Sequence, residues 1–331
     1  MSTTIKDIAK KLNISIATVS KALNDSYDIS DKTKKRVREA AKEMNYKPNA
    51  IAQGLVTNKT NTIGLIIPDI TNPFYPEIAR GVEEELNKHG YNVFLCNSNW
   101  EIKKEEKYID LLVSKQVDGI ILAHSGVKNG SLENIDIPIV SVATKSGYKG
   151  ENFVVIDDKK GGYLATKHLL DSGYKSIMFI GGQSTIETNK MRFEGYKQAL
   201  MEQGIQLDER LIKNGDFTKE SGYVLVKNSL KKGIIPTGIF VGTDMLALGV
   251  MQAVRECGLN IPEDIGIVGF DDISFSQLPE ISLTTIAQPK YDMGVISAKT
   301  ILDKINKSEG KNTTLDPKLI VRKTTRKVLE C

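Results

Sequence analysis

Apolar positions near the start of the chain recur with the period of a helix. Ile5, Ile8, Ala9 and Leu12 fall at i, i+3, i+4 and i+7, one helical face, and Thr4 can cap its start. Asn13-Ile14-Ser15 breaks the pattern, and Ser15 can cap a second helix over 16–24 with Ile16, Val19 and Leu23 on one face. At about 100° per residue, Ala17, Lys21 and Asn24 project from the other side. A third helix is predicted over 31–45, with Val37, Ala40, Ala41 and Met44 inward and Lys32, Lys34, Lys35, Arg36 and Arg38 crowding its first half. Two short helices joined by three residues and braced by a third have the layout of a helix-turn-helix. A plain three-helix bundle without a nucleic-acid role would share the periodicity.

From Asn61 the pattern changes to short apolar runs alternating with helical stretches. Strands are predicted over 63–67, 92–95, 119–122, 139–142, 176–180, 238–241 and 265–270, with helices over about 74–89 and 102–115 and others between the later strands. Repeated βα units imply parallel sheets covered on both faces. Asp118-Gly119-Ile120-Ile121 is echoed by Thr237-Gly238-Ile239-Phe240, which hints at two similar lobes. Ligands in such sheets sit at the carboxyl ends of strands, and with two lobes the cleft lies between them. The loops there carry Asp69 to Tyr75, Gly242-Thr243-Asp244, Phe270-Asp271-Asp272 and Ala287-Gln288.

Charge separates the two regions further. The net charge of +4 conceals twelve Lys and Arg against six Asp and Glu in residues 1–60, with a slightly acidic balance in the remainder. A basic head on a near-neutral body suggests a polyanion partner for the head alone. With 331 residues, more than one domain is expected. Three widely spaced cysteines give neither a CxxC motif nor a disulfide framework, and no apolar run approaches a membrane span or a signal peptide, so a cytoplasmic protein is expected. An enzyme is disfavoured: His89, His124 and His168 lack metal-ligand spacing, and neither a GxGxxG fingerprint nor a Walker A loop is present. No catalytic residue, metal or cofactor is expected.

The words themselves are more specific than the periodicity. Ile5-Lys6-Asp7-Ile8-Ala9, the run Ala17-Thr18-Val19-Ser20-Lys21-Ala22-Leu23-Asn24, and Asn45-Tyr46-Lys47-Pro48-Asn49-Ala50 resemble, in order and spacing, the head of the lactose-repressor (LacI/GalR) family. Val268-Gly269-Phe270-Asp271 and the Asp69 to Tyr75 stretch resemble that family's sensor cores and the periplasmic sugar-binding proteins. The resemblance covers essentially the whole chain, with echoes of the catabolite-control and ribose-repressor branches. It implies an α/β protein in which a helix-turn-helix head (1–47) and a hinge helix with linker (48–60) precede a two-lobed periplasmic-binding-protein-like core (61–331). The first lobe would take about 61–158 and 289–318, the second about 159–288 and 319–329.

The same resemblance assigns candidate roles. Ile16, Ala17 and Lys21 would read base edges, Ser15 and Thr18 would meet phosphates, and Thr4 and Asn24 would lie at the same interface. Lys21 stands where the family usually has Arg, which leaves DNA binding intact and the operator sequence in doubt, because Lys is a point charge rather than a two-donor fork. Asn49, Ala52 and Leu55 fall in the hinge, with Leu55 of two copies entering the minor groove. In the sensor, Phe74 and Phe217 match platforms for a sugar ring, Arg192 and Asp271 match a donor and an acceptor for ligand oxygens, and Asn72, Thr243 and Gln288 match supporting groups. Thr243 and Asp271 could equally serve only as helix caps, and Phe74 as core. Ala143-Thr144 stands where a charged reader is common, while Lys190 and Lys145 add positive charge that would suit a phosphorylated or acidic sugar. The implied protein is a homodimeric repressor, with no membrane association, on pseudo-palindromic double-stranded operator DNA, answering to a small sugar-like effector. A catabolite-control-type regulator with a protein co-effector, or a solute-binding protein, are the alternatives.

Overall fold

The computed structural model describes residues 3–46, 59–123, 132, 135–145 and 152–327, and the chain divides into two compact units, Met1–Thr60 and Asn61–Cys331. The described residues of the first unit form three helices, α1 (Ile5–Leu12), α2 (Ile16–Leu23) and α3 (Asp31–Glu43). Helix α1 ends because Asn13 takes a left-handed conformation (φ 53°), which turns the chain within three residues. Ser15 then caps α2 by accepting from Thr18 N at 3.0 Å. Ile8, Ala9, Val19, Ala22, Val37, Ala40 and Ala41 form the buried centre. Ile16, which the periodicity also assigns to the inner face of α2, is instead 45% exposed at its first turn. The expected hinge residues Asn49, Ala52 and Leu55 lie outside the described residues.

The second unit contains two six-stranded sheets. The first joins β1 (Thr62–Ile67), β2 (Asn92–Asn97), β3 (Gly119–Leu122), β4 (Ile139–Val142), β5 (Asn152–Ile156) and β11 (Thr313–Leu315) in the order β11-β5-β4-β3-β1-β2, every pair parallel. The second joins β6 (Ile177–Gly181), β7 (Ile212–Asn214), β8 (Gly238–Val241), β9 (Gly266–Asp271), β10 (Thr284–Ala287) and β12 (Lys318–Ile320) in the order β12-β10-β9-β8-β6-β7. Among the described residues only β10 and β12 run antiparallel. The two orders are the same topology written twice, and the sequence echo marks it: Gly119 and Gly238 open β3 and β8, the third strand of each repeat. Burial on both faces explains why β3 and β8 are unbroken apolar runs rather than alternating ones, and why Ser141 is the one polar residue in the buried β4.

The crossover helices of the first lobe are α4 (Phe74–Lys88) and α5 (Ile102–Ser114), and α10 (Lys290–Ile305) also packs there, on α4 and on β3 to β5. Those of the second are α6 (Asp158–Asp171), α7 (Glu187–Glu202), α8 (Lys219–Lys231) and α9 (Asp244–Glu256). The chain therefore crosses between lobes three times, after β5, after β10 and between β11 and β12. Three strands of connection make a hinge about which two rigid layers can rotate. Among the described residues no helix is long and apolar enough to cross a membrane.

Candidate operator-reading face and effector cleft

On the head, the outward face of α2 consists of small or polar side chains together with the apolar Ile16. Ser15, Ile16, Ala17, Lys21 and Asn24 are exposed and Thr18 is partly so, and Thr4 is exposed at the start of α1. The Ser15 and Thr18 hydroxyls lie 2.8 Å apart, which orders the helix start where backbone N–H groups point outward. The Asp7 carboxylate accepts from Thr4 N at 2.8 Å and from its hydroxyl at 2.7 Å, so Thr4 is engaged in a cap. Lys21 is not a free cation: its ammonium meets Asp28 Oδ2 at 2.5 Å. Other positive charge is also held internally, with Lys34 and Arg38 on Asp25 at 3.1 and 2.9 Å and Lys11 on Glu43 at 2.6 Å. Lys32, Lys35 and Arg36 remain exposed on α3.

In the sensor unit, loops from the carboxyl ends of strands in both sheets converge on one cleft. Asn72, Phe74, Tyr75, Trp100, Ala143 and Thr144 arrive from the first lobe. From the second come Thr188, Arg192, Phe217, Thr243 and Asp271, while Gln288 comes from the crossing after β10. Seven of the eight residues assigned from sequence thus line one cavity: Asn72, Phe74, Arg192, Phe217, Thr243, Asp271 and Gln288. Lys190 does not. It is exposed and 4.0 Å from Glu187. The reason is helical geometry: Thr188 and Arg192 are four residues apart and share the cleft face of α7, whereas Lys190 lies about 200° from Arg192 around the helix. Lys145 is likewise outside this cavity, its ammonium 4.4 Å from the centre of the Phe153 ring.

Arg192 is the centre of the polar lining. It is 6% exposed, donates from Nε to Asp158 Oδ1 at 2.7 Å and from Nη1 to Gly242 O at 2.6 Å, and lies 3.7 Å over the Phe270 ring. Its Nη1 is 3.9 Å from Asp271 Oδ1. Asp158 can reach it because α6 and α7 touch backbone to backbone: a Cβ on Gly162 would fall 2.1 Å from Arg192 O, and one on Gly195 2.0 Å from Lys159 O. Burial raises the Asp158 carboxyl pKa despite the guanidinium beside it.

Asp271 accepts from Gln288 Nε2 at 2.7 Å and is pushed up to about 7, chiefly by burial, with Arg192 opposing and the charge of Asp244 adding. Its backbone is left-handed (φ 116°), as is that of Asp272 (φ 51°). The buried Lys290 ammonium donates to both of their carbonyls at 2.7 Å. Strain of this kind persists only where neighbours hold it. Asp244 holds the same loop from below, accepting from Ile273 N, Ser276 Oγ and Thr285 Oγ1 at 3.0, 2.6 and 2.6 Å; burial lifts it to about 6. Thr243 caps α9, accepting from Leu246 N at 3.3 Å, while its residue faces the cavity. Capping and lining therefore coincide there.

Aromatic rings close the cleft. Trp100 of the first lobe stacks on Phe217 of the second, with centroids 5.2 Å apart and planes inclined by 21°. Phe74 is 5% exposed and edges onto Tyr75 at 5.0 Å, so it is both core and lining. The enclosed volume is only about 40 Å³, against about 300–1,000 Å³ for an ordinary ligand pocket. A cavity of this size does not hold a sugar ring in this conformation, and the Trp100–Phe217 stack bridges the two lobes beside it. Phe217 itself depends on Gly182, where a Cβ would lie 2.2 Å from the ring. We expect Gly182→Val to displace Phe217 and lower sugar affinity by about tenfold or more, as for loss of one good contact. Calorimetry checks this, and unchanged affinity would remove Phe217 from the binding surface.

Sequence reasoning assigned no role to Trp100, Tyr75, Asp158, Thr188 or Lys290. Trp100 was accessible to it: the chain's single Trp follows β2 at the carboxyl end of a sheet strand. Asp158 and Lys290 carried no such signal, because their partners are distant in sequence. Among the described residues, no group of His, Cys, Asp or Glu is placed to hold a metal.

Comparison with known proteins agrees with this geometry. Residues 4–49 match the family described as bacterial regulatory proteins, lacI family, and residues 60–323 match the periplasmic binding proteins and sugar binding domain of LacI family. The chain is 38% identical over 331 residues to the HTH-type transcriptional regulator RegA of Clostridium saccharobutylicum, covering 98% of this chain and 100% of the relative. Its structure is similar to the lac repressor dimer bound to operator and the anti-inducer ONPF, with TM-score 0.87, 25% identity and coverage of 99% and 100%. It is similar also to a LacI family transcriptional regulator from Enterococcus faecium with bound ribose, with TM-score 0.74, 33% identity and coverage of 81% and 100%. The matched family is one of regulators rather than enzymes. This chain belongs to the LacI family of bacterial transcriptional regulators, with a helix-turn-helix head and a periplasmic-binding-protein-like effector core.

Proposed function

We propose that the protein is a cytoplasmic, homodimeric repressor whose grip on a pseudo-palindromic operator is set by an uncharged sugar in the interlobe cleft. The observation that carries the effector class is the balance of charge there. Among the described residues, Arg192 and Asp271 are the only charged side chains lining the cavity, and Arg192 already spends a short bond on Asp158. Among the described residues no uncommitted cation lines this cavity for a phosphate or carboxylate, since Lys190 lies beside Glu187 and Lys145 over the Phe153 ring. Hydroxyl groups suit the remaining lining: Asn72, Thr144, Thr188, Thr243 and Gln288 donate and accept, and the aromatic rings supply area.

On this reading Ile16, Ala17 and Lys21 meet base edges, Ser15, Thr18 and Thr4 face phosphates, and Asn24 borders the contact. Asn49, Ala52 and Leu55 belong to the hinge, whose pairing across the dimer places Leu55 in the minor groove. Dimer formation is supported by an apolar groove on the first lobe, where Ile67, Ile70, Pro76, Ala79, Val93 and Leu95 lie together, with Phe94 of the same edge strand 55% exposed. Parting Trp100 from Phe217, or re-forming the pair around a ring, would rotate the first lobes and change the distance between the two hinges.

A thermal-shift panel tests the effector class: neutral sugars should include a stabiliser, whereas sugar phosphates should give no larger response than their dephosphorylated forms. The response should depend on pH through Asp271. Ligand hydroxyls favour the carboxylate form, so affinity should rise with pH through about 7 and fall by about tenfold per unit below it. Stability of the free protein runs the other way. A folded pKa raised above the ordinary value contributes stability below about 4 that is lost as pH climbs through about 7. Asp271→Asn should flatten both profiles; a wild-type affinity independent of pH between 5 and 8 would contradict the assignment.

A further inference from the structure

Helix α2 presents one long cation, and a loop carboxylate holds it. Lys21 Nζ is 2.5 Å from Asp28 Oδ2, and the other oxygen of that carboxylate accepts from Ser26 Oγ at 2.6 Å. The loop is fastened to the helix end, since Ser26 N donates to Lys21 O at 2.9 Å. Its other acid, Asp25, is bound by Lys34 and Arg38 of α3, and the Lys34 ammonium also donates to Asp25 O at 3.2 Å. Asp28 is thus a fixed carboxylate at the border of the face that carries Ala17, Lys21 and Asn24. An acid placed there is repelled by DNA phosphates, so generic affinity gives no reason for it.

Base-edge chemistry does give one. In the major groove a guanine offers the acceptors N7 and O6, and its cytosine partner offers the N4 amino donor beside them. An ammonium next to a carboxylate is the complement of that pattern. We propose that Asp28 is a specificity-determining residue that acts with Lys21 as a single donor–acceptor unit reading one G·C pair in each half-site. Lys21 donates to the guanine and Asp28 accepts from the cytosine. The unit also rejects A·T pairs, because adenine N6 would face the ammonium and thymine O4 the carboxylate. The inference rests on α2 being the helix that enters the major groove.

The test is binding-site selection by the full chain from a randomised duplex pool about two helical turns long, repeated with Asp28→Asn, Lys21→Met and the double variant. Wild type should select a palindromic motif containing a G·C pair in each half-site. Asp28→Asn should keep the motif's frame and relax that one position, with discrimination there reduced by about five- to a hundredfold, while binding to mixed-sequence duplex tightens. Lys21→Met should relax the same position, and adding Asp28→Asn to it should relax it no further. Circular dichroism of each variant should match wild type. The proposal is overturned if Asp28→Asn retains full preference at every position and merely binds all DNA more tightly, or if the two single variants relax different positions. A wild-type chain that selects no motif would overturn the reading of α2 instead.

Discussion

Arg192→Met is expected to lower the stability of the sensor unit by about 3–5 kcal/mol, the usual consequence of removing one member of a buried ion pair, and to eliminate sugar binding. Methionine keeps an apolar stem against Phe270, so the loss is one of charge and hydrogen bonding more than of volume. Asp158 would then be a buried carboxylate without its guanidinium, and Gly242 O would lose its donor. Asp271, already raised to about 7, would lose the cation that opposes its burial and hold its proton to higher pH. The companion variant Asp158→Asn/Arg192→Met should recover part of the stability and none of the binding. Chemical denaturation with calorimetry separates the two effects. A single variant as stable as wild type would show that the Asp158–Arg192 pair does not hold α6 to α7.

The second large effect concerns the head. A chain beginning at Asn61 should fold, retain its sugar affinity, and lose all measurable affinity for duplex DNA. The two units have separate cores: Ile8, Ala9, Val19, Ala22, Val37, Ala40 and Ala41 pack with one another, and the sensor's sheets are covered by their own helices. The exposed cations Lys32, Lys35 and Arg36 and the α2 face all leave with the first sixty residues, and with them the positive charge that would attract a polyanion. Fluorescence anisotropy at low salt measures this. Residual duplex binding by the shortened chain at wild-type strength would locate the nucleic-acid interface elsewhere.

Much of this arrangement was legible because its determinants are local. The helix-turn-helix followed from spacing within eight-residue windows and from the Ser15 cap, which the structure realises through Thr18 N. The sheets followed from apolar runs such as Ile63 to Ile67 and Gly119 to Leu122, and the topological repeat from one short echo. Cavity-lining residues were legible where a loop follows a strand, as at Asn72, Thr243, Asp271 and Gln288. What was not legible depends on distance in the chain. Asp158 meets Arg192 across thirty-four positions, Lys290 reaches two carbonyls of the β9 turn, and Trp100 stacks on Phe217 from the opposite lobe. Lys190 misled for a different reason: nearness in sequence to Arg192 puts it on the opposite side of the same helix. A count of charges in the head likewise does not say which cations are paired, and the fold puts Lys11, Lys21, Lys34 and Arg38 against acids of the same unit.

Mechanical coupling between cleft and head can be read in one titration. The full chain is bound to the duplex it selects, and operator affinity is measured with and without a saturating concentration of the sugar that most raises its melting temperature. Coupling between sites of this kind is typically worth about 1–3 kcal/mol, so affinity should change by about five- to 150-fold, and the same factor should appear in sugar affinity when operator is added. Identical operator affinity at zero and full cleft occupancy would show that cleft and head are not coupled.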